Sequence, residues 1–404
     1  MTGHRRAPGK AGRNTVLAAL MGLVFSAPAM AALSDTIHPF VGVSYSYDDN
    51  LLRLPDSRTG DNAGYSDTSK QVVAGLDFER PVGQQQFSVT AKVSKVTFDR
   101  FDELNYTGKD ATANWQWRLG KHFDGTLGGT YSQTLTPFTD FHSSQLNLRT
   151  QTGEYVTANW LFHPSWRART RYEQNKFNYD LTSQSYLDRT EKIEEVGFDY
   201  LAASGSTVGL LVRQTKGDYE NPLFFGNELF DESFKQDELK LKVLWKLGAV
   251  TQLQFEAGHA RRTHESANVR DASGTNGRAI ATWSPKATLQ FTGTLYREFS
   301  AFEGSLATYS LNKGASVAAT WSATEKIRVD AQYLVVRRDY PGLEQSALLG
   351  AYDHNHTSSL GATYTARSNI SLGLNVYRDV RSVSPAFSNA YRANGVSFNA
   401  NVQF

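Results

Sequence analysis

The feature that most constrains the fold is a pair of alternating apolar and polar runs joined by a short turn, repeated eight times. In each repeat the first run reaches an aromatic residue, and a few polar, Gly or Pro residues lead into the second run. The eight passages are Leu76–Phe87, Trp117–Leu127, Trp160–Trp166, Tyr200–Val208, Trp245–Leu253, Trp283–Leu289, Trp321–Ile327 and Tyr364–Ile370. Long stretches rich in Asp, Asn, Gly and Ser separate them. Short turns alternating with long loops are typical of membrane-spanning β-barrels.

The same passages predict the number of strands. Eight short turns join sixteen strands, one strand precedes them at Phe40–Asp48, and one follows at Tyr391–Phe404. We therefore predict an all-β fold, a single transmembrane up-and-down antiparallel β-barrel of 18 strands with both termini in the periplasm. A barrel of 16 strands is the alternative if the passage around Lys192–Arg213 is not a hairpin.

Alternation within each strand predicts which side chains meet lipid. In the last strand, Val396, Phe398 and Val402 interleave with polar residues, and the chain ends on Phe404. A slip by one residue would turn charged side chains into lipid, at roughly 2–4 kcal/mol for an Arg at the bilayer midplane. All seven Trp lie close to a predicted short turn, which predicts an aromatic belt at one membrane surface. They are Trp115, Trp117, Trp160, Trp166, Trp245, Trp283 and Trp321.

The first 31 residues predict a secretory signal peptide. Arg5, Arg6, Lys10 and Arg13 form a basic region, an apolar stretch follows, and Ala29–Ala31 is a small-residue cleavage site. Residues 32–404 would then form the barrel in the outer membrane of a Gram-negative bacterium. The chain has no Cys, which excludes a disulfide framework and a Cys-ligated metal site. Its near-neutral charge argues against a nucleic-acid partner.

A barrel of this size encloses a water-filled lumen unless a loop or a domain fills it. The first strand begins too soon after the predicted cleavage site for a plug domain, so a constriction would have to come from a loop. The larger loops are Asp49–Asp67, Phe138–Arg149, Asp218–Ser233, Tyr340–Tyr352 and Ser382–Ala390.

Charged and aromatic residues at inward positions are the candidate lumen residues. They comprise basic Arg167, Arg169, Arg171, Lys240 and Lys242, acidic Asp77, Asp199, Glu256 and Asp330, and aromatic Tyr155, Tyr296 and Tyr377. The basic residues fit either a ladder that selects anionic solutes or an inner face whose charges compensate one another, and we favour compensation.

No motif predicts catalysis or a bound cofactor. His354 and His356 lie on one side of a strand, but no third metal ligand accompanies them. No nucleotide-binding motif and no distinctive Ser, His and Asp spacing is present. We predict that the chain is not an enzyme and has no cofactor and no metal site.

Two segments resemble known proteins. The last strand, ending on Phe404, resembles the signal that the barrel-assembly machinery of Gram-negative outer membranes reads. The segment Asp49, Asn50, Leu51, Leu52, Arg53, Leu54 and Pro55 follows a short strand that begins with Pro39-Phe40. This arrangement resembles the start of the β-barrel porins of EpsL type, which are encoded with exopolysaccharide synthesis genes in bacteria that have exosortase systems.

The EpsL-type resemblance implies an outer-membrane component of polysaccharide export, with outer-membrane lipid, polysaccharide and periplasmic export proteins as partners. It brings no catalytic residues. A pore for exopolysaccharide export is the first function we predict. A general or sugar-specific diffusion porin, and a structural or adhesive barrel without an open channel, are the alternatives.

Overall fold

The computed structural model describes residues 36–55, 65–139, 141–225, 228–230, 233–264, 271–301, 309–340, 351–384 and 390–404. The predicted signal peptide at residues 1–31 lies outside the described residues and stays a prediction. Within the described residues, no helix is long and apolar enough to cross a membrane.

Most of the described residues are in β-strands. The strands are β1 (Ile37–Asp48), β2 (Asp67–Val82), β3 (Gln85–Phe98), β4 (Tyr106–Leu119), β5 (Phe123–Leu135), β6 (Leu148–His163), β7 (Trp166–Tyr179), β8 (Arg189–Leu201), β9 (Thr207–Tyr219), β10 (Leu223–Phe225), β11 (Glu228–Phe230), β12 (Phe234–Leu247), β13 (Thr251–His264), β14 (Ala272–Lys286), β15 (Leu289–Ala301), β16 (Tyr309–Ser322), β17 (Ile327–Asp339), β18 (Tyr352–Arg367), β19 (Ile370–Val383) and β20 (Tyr391–Gln403). Two short 3-10 helices cover Asp102–Leu104 and Thr182–Leu187.

Eighteen of these strands form one closed antiparallel barrel, as predicted. Consecutive barrel strands pair with each other, and β1 pairs with both β2 and β20, so the sheet has no free edge. The short β10 and β11 form a separate hairpin in a long loop. The passage around Lys192–Arg213 is a regular hairpin of β8 and β9, which decides against the 16-stranded alternative.

All eight predicted short turns lie at one end of the barrel, which we call the short-turn end. Four of them contain a glycine with positive φ, namely Gly83, Gly120, Gly205 and Gly248, a left-handed backbone that glycine adopts without strain. The start of β1 and the end of β20 lie at this same end, where the N–H of Phe404 donates to the carbonyl of Pro39 at 2.8 Å. Assignment of this end to the periplasm stays a prediction.

The alternation along each strand separates an outer from an inner face. In β12, Leu239 and Leu241 are 58% and 40% exposed, whereas Lys240 between them is 4% exposed. Apolar residues thus face outward and polar residues face the lumen, because only apolar side chains are stable against lipid. Trp160, Trp245 and Trp321 are among the outward residues nearest the short-turn end.

The opposite end carries the longer connections, and we call it the long-loop end. Here Leu52, Val96, Phe98 and Leu104 form a buried apolar cluster inside the barrel. Leu52 comes from the connection after β1, which therefore folds inward rather than into solvent. Burial of this cluster fixes where the connection lies across the lumen.

Candidate functional site

Every predicted lumen residue lies at an inward position of its strand. Asp77 is on β2, Tyr155 on β6, the three Arg on β7, both Lys on β12, Tyr296 on β15, Asp330 on β17 and Tyr377 on β19. Their neighbours in sequence include exposed apolar residues such as Trp166, Val376 and Leu239. The roles predicted for these residues in solute passage stay predictions.

The inward Arg residues of β7 pair with carboxylates of β8. Arg167 Nη2 lies 2.6 Å from Asp199 Oδ2. Arg169 contacts Glu195 at 2.9 Å and Asp199 at 3.3 Å. Arg171 pairs with Glu173, two residues along its own strand. The three guanidiniums therefore do not form an uncompensated ladder.

The same pairing continues across β9, β12 and β13. Arg213 contacts Glu195 at 2.8 Å, Glu256 at 3.2 Å and Glu238 at 3.6 Å. Lys240 lies 3.1 Å from Glu238 and 3.2 Å from Glu256. Lys240, Glu195 and Glu238, all buried, thus each have an opposite charge beside them, as burial of a charge requires. We call the inner faces of β7, β8, β9, β12 and β13 the charged wall.

Two further cavities lie along the lumen wall away from the charged wall. A cavity of about 780 Å³ is lined by residues that include neutral Gln71, Thr90 and Asn401 and charged Asp77, Lys92 and Asp110. A further cavity of about 380 Å³ is lined by residues that include Gln332, Ser359, Thr363, Asn375 and Asn399. We call the part of the inner faces of β16, β17, β18, β19 and β20 that lines this second cavity the polar wall.

The two predicted acidic residues outside the charged wall are hydrogen-bonded to hydroxyl groups. Thr90 donates to Asp77 at 2.7 Å. Thr320 donates to Asp330 at 2.8 Å, and Arg328 Nε lies 2.9 Å from the same carboxylate. Both carboxylates are thus hydrogen-bonded, and only that of Asp330 has a cation, Arg328, beside it.

The three predicted lumen tyrosines lie flat against the wall, each over a glycine of the neighbouring strand. Register pairs Tyr155 with Gly128, Tyr296 with Gly314, and Tyr377 with Gly395. A methyl group added at any of these glycines would overlap the tyrosine ring. Each ring thus covers backbone that a glycine leaves open, an arrangement that restores packing in a strand.

The EpsL-like segment forms the inward-folded connection after β1. Asn50 closes it: its side-chain amide donates to the carbonyls of Leu54 and Arg392, both at 2.9 Å, and its side-chain oxygen accepts from the N–H of Leu54. Asp49 accepts from the backbone and side chain of Asn394 on β20 at 2.6 and 2.7 Å. The segment is therefore joined both to itself and to the last strand.

Arg53 fixes this segment to the barrel wall. Its guanidinium contacts Asp48 at 2.7 Å and Asp379 of β19 at 3.6 Å. Tyr377 donates to Asp48, and Tyr391 donates to Asp379 at 3.0 Å. We call these five residues the Arg53 cluster. Burial alone would lower the pKa of Arg53, but Asp48 and Tyr377 raise the pKa above its ordinary value, so Arg53 remains a cation.

Arg53 also has a positive φ of 56°. This backbone costs a non-glycine residue on the order of 1 kcal/mol, and such residues persist where surrounding contacts determine them. Here those contacts are the ion pairs of the Arg53 cluster and the burial of Leu52 next to it.

A second connection, after β5, also enters the lumen. Phe138 packs against the buried cluster around Leu52, and the carbonyl of Leu52 lies 3.1 Å from His142 Nδ1. Arg381 of β19 donates to the carbonyl of Thr139 at 2.6 Å. Round the barrel, β4, β3, β2, β1 and β20 separate β5 from β19. The connection therefore crosses the lumen.

Arg381 is held by a buried carboxylate. Asp353 is fully buried, and it contacts Arg381 at 2.6 Å and Arg338 at 2.9 Å. The Tyr340 hydroxyl donates to it at 2.6 Å. Burial and this carboxylate raise the pKa of Tyr340 well above its ordinary value, although Arg338 opposes the shift, so its hydroxyl remains a donor. These contacts fix the site that holds Thr139.

His354 and His356 lie on the outward face of β18, not in the lumen. His356 Nδ1 is 3.1 Å from the hydroxyl of Tyr333, and His354 packs edge-on against Tyr352. In the portion of the chain that the structure describes, no three His, Cys, Asp or Glu residues are grouped to hold a metal ion.

Sequence reasoning missed Glu195, Arg213, Glu238, Asp353 and Arg381. Alternation could have placed Glu195 and Arg213 inward, because exposed Val196 and Val212 follow or precede them. Nothing in the sequence signals that Arg381 holds the connection after β5, because that contact depends on how a loop crosses the barrel.

Comparisons with known proteins agree with the barrel. Residues 241–404 match the family described as "Putative beta-barrel porin 2". The matched residues do not include the segment 49–55, and the assignment to the EpsL type stays a prediction. No curated protein sequence matches the chain.

Several solved structures are similar to this chain at low sequence identity. Pseudomonas aeruginosa OccK9 (OpdG) is 9% identical with a TM-score of 0.50, over 91% of this chain and 98% of that chain. P. aeruginosa OpdL is 13% identical with a TM-score of 0.47, over 91% of this chain and 98% of that chain. Acinetobacter baumannii OccAB4 is 11% identical with a TM-score of 0.47, over 92% of this chain and 99% of that chain. At such identity the first of these likenesses shows the fold alone. Residues 241–404 thus match a β-barrel porin family, and the described residues form a closed 18-stranded barrel with the fold of OccK9.

Proposed function

We propose that this porin is the outer-membrane pore through which an exopolysaccharide leaves the cell. In this proposal the short-turn end and both termini face the periplasm, where export proteins deliver the polymer. The long-loop end faces outward, after cleavage of a signal peptide at residues 1–31. The barrel supplies a path and no catalytic step.

The polar wall is the observation that carries the proposal. Uncharged amide and hydroxyl groups such as Asn375, Asn399, Ser359 and Thr363 line it, and they exchange hydrogen bonds with sugar hydroxyls without holding them tightly. The flat ring of Tyr377 adds an aromatic face on β19. A solute must bind a channel well enough to enter and weakly enough to leave, and neutral polar groups meet both needs for a glycan.

The fixed outer mouth favours a second candidate, a diffusion porin for small sugars. The connections after β1 and β5 are held across the lumen by the Arg53 cluster and by Arg381. A mouth held by internal contacts needs no partner to set its width. In the export proposal, these contacts must open when the polymer passes.

Single-channel conductance in planar bilayers tests both candidates. The refolded chain from residue 32 onward is titrated with neutral and acidic oligosaccharides of increasing length, added to either side. For an export pore we expect discrete steps that neutral oligosaccharides block, with block lengthening as the glycan lengthens, because more hydrogen bonds form along the polar wall.

Block by short sugars alone would favour the diffusion porin. Conductance that no sugar affects would contradict both glycan functions. A folded, heat-modifiable barrel that conducts no current would contradict a pore of either kind and would leave the structural barrel.

A further inference from the structure

The outward face of β15, β16 and β17 carries a row of basic residues at the edge of the apolar band. Register pairs Arg297 directly with Lys313, and Lys313 directly with Arg337. Like charges directly opposite each other across neighbouring strands destabilise a sheet. An arrangement of this kind therefore needs anions to balance it. We call these three residues the basic row.

The protein itself balances only part of this charge. Asp339 lies 2.8 Å from Lys313 Nζ and 2.7 Å from Arg337 Nε, so one carboxylate serves two cations. Arg297 donates to the carbonyl of Thr275, and no carboxylate of the described ranges pairs with it. Arg337 also lies over the ring of Tyr352, 4.5 Å from its centre. The basic row keeps an excess of positive charge.

An apolar groove runs directly below the basic row, toward the short-turn end. In the next outward row, register pairs Ala279 with Leu295, Leu295 with Ala315, and Ala315 with Val335. The small Ala side chains between larger ones leave a depression of about 530 Å³, which the basic row borders. Its position on the outward face places it against lipid acyl chains.

Other parts of the outward face carry acidic residues next to the apolar band. On β6 and β8, the first charged outward residues beyond the apolar band are Glu154 and Glu194, both exposed. A second basic row, Lys192, Lys216 and Lys235, lies farther from the apolar band. There Lys192 and Lys235 pair with Asp218 and Asp237. The first row combines cations with an apolar groove.

We propose that this surface binds one phosphorylated glycolipid of the outer leaflet, of the lipid A type. Its phosphate groups contact Arg297, Lys313 and Arg337, and its acyl chains fill the groove beside Leu295. Arg forms paired hydrogen bonds to phosphate, and Lys serves as a point charge. A free anion would contact the basic row but would leave the apolar groove empty, so the site favours a lipid.

Native mass spectrometry of the purified barrel in detergent tests this proposal. The probes are lipid A with two phosphates, the same lipid with its phosphates removed, and phosphatidylglycerol. We expect wild type to retain one lipid A in preference to the other two. R297Q/K313Q should reduce the retained lipid A by about tenfold, because hydrogen bonds to charged groups are lost. A315L, which fills the groove, should reduce it without changing charge.

The matched control is K192Q/K216Q, which removes two outward charges from the other basic row. It should retain lipid A as wild type does. Equal retention by all the variants would overturn the proposal, and so would equal retention of the dephosphorylated lipid. Preference for phosphatidylglycerol would also overturn it, because it would indicate a different lipid. Heat-modifiable migration of each variant on gels confirms that the barrel is folded before lipid is added.

Discussion

At the scale of single residues, Arg53 shows how a short motif produces a tertiary contact. Its positive φ turns the chain back toward the wall, and its guanidinium joins Asp48 of β1 to Asp379 of β19. Leu52 beside it is buried against β3. These contacts explain why the loop carries both polar residues, which bind the wall, and apolar residues, which are buried.

Replacing Arg53 with Ala should open the outer mouth. The change leaves the carboxylates of Asp48 and Asp379 without their shared cation. Removing one partner of a largely buried ion pair should lower the free energy of unfolding by about 3 kcal/mol. We expect a higher single-channel conductance and faster entry of large antibiotics into cells that carry R53A.

R378A is the matched control, since Arg378 lies on the outward face of the same strand, β19. It should leave the conductance unchanged. An R53A channel with the conductance of wild type would show that the connection after β1 does not limit the pore.

At the scale of strands, the hairpin pattern predicted the fold well. The period of two and the short turns determine strand number, order and register, because a slip would expose charges to lipid. The ion pairs between strands were harder to predict, since Glu195 and Arg213 stand opposite each other only once β8 and β9 are in register. The contacts of Arg53 and Arg381 depend on loops that cross the lumen, for which the sequence carries no periodic signal.

The tyrosine rings over glycines make a further prediction for strand pairing. G314A should place a methyl group into the ring of Tyr296 and lower the free energy of unfolding by about 1–3 kcal/mol, as overpacking does. Urea unfolding from lipid vesicles measures this. In a Y296A background the same substitution should cost much less, because the ring is gone.

G293A is the control for this prediction. Gly293 lies on β15, the strand of Tyr296, and no atom lies within 4 Å of a methyl group placed there. Its unfolding should match wild type. A G314A barrel as stable as G293A would mean that the ring moves aside at no cost.

At the scale of the whole molecule, the lumen has two sides of different chemistry. Arginines and lysines meet carboxylates along the charged wall, so their charges cancel over short distances. The polar wall on the opposite side presents mainly neutral amide and hydroxyl groups. A passing solute therefore meets hydrogen-bonding groups without a strong net field, which suits a neutral glycan better than a small anion.

Neutralising one carboxylate of the charged wall should make the pore select anions. Glu195 contacts both Arg169 at 2.9 Å and Arg213 at 2.8 Å, so E195Q leaves two guanidiniums undercompensated. The Coulomb energy between two unit charges 4 Å apart in water is about 1 kcal/mol. This energy corresponds to about a fivefold change in the local concentration of a passing anion. The reversal potential of E195Q in a KCl gradient should shift toward the equilibrium potential of chloride.

The matched control is E154Q, which removes a carboxylate from the outward face of β6 and should leave the reversal potential unchanged. If E195Q folds, as heat modifiability shows, and its reversal potential equals that of E154Q, ions do not pass along the charged wall.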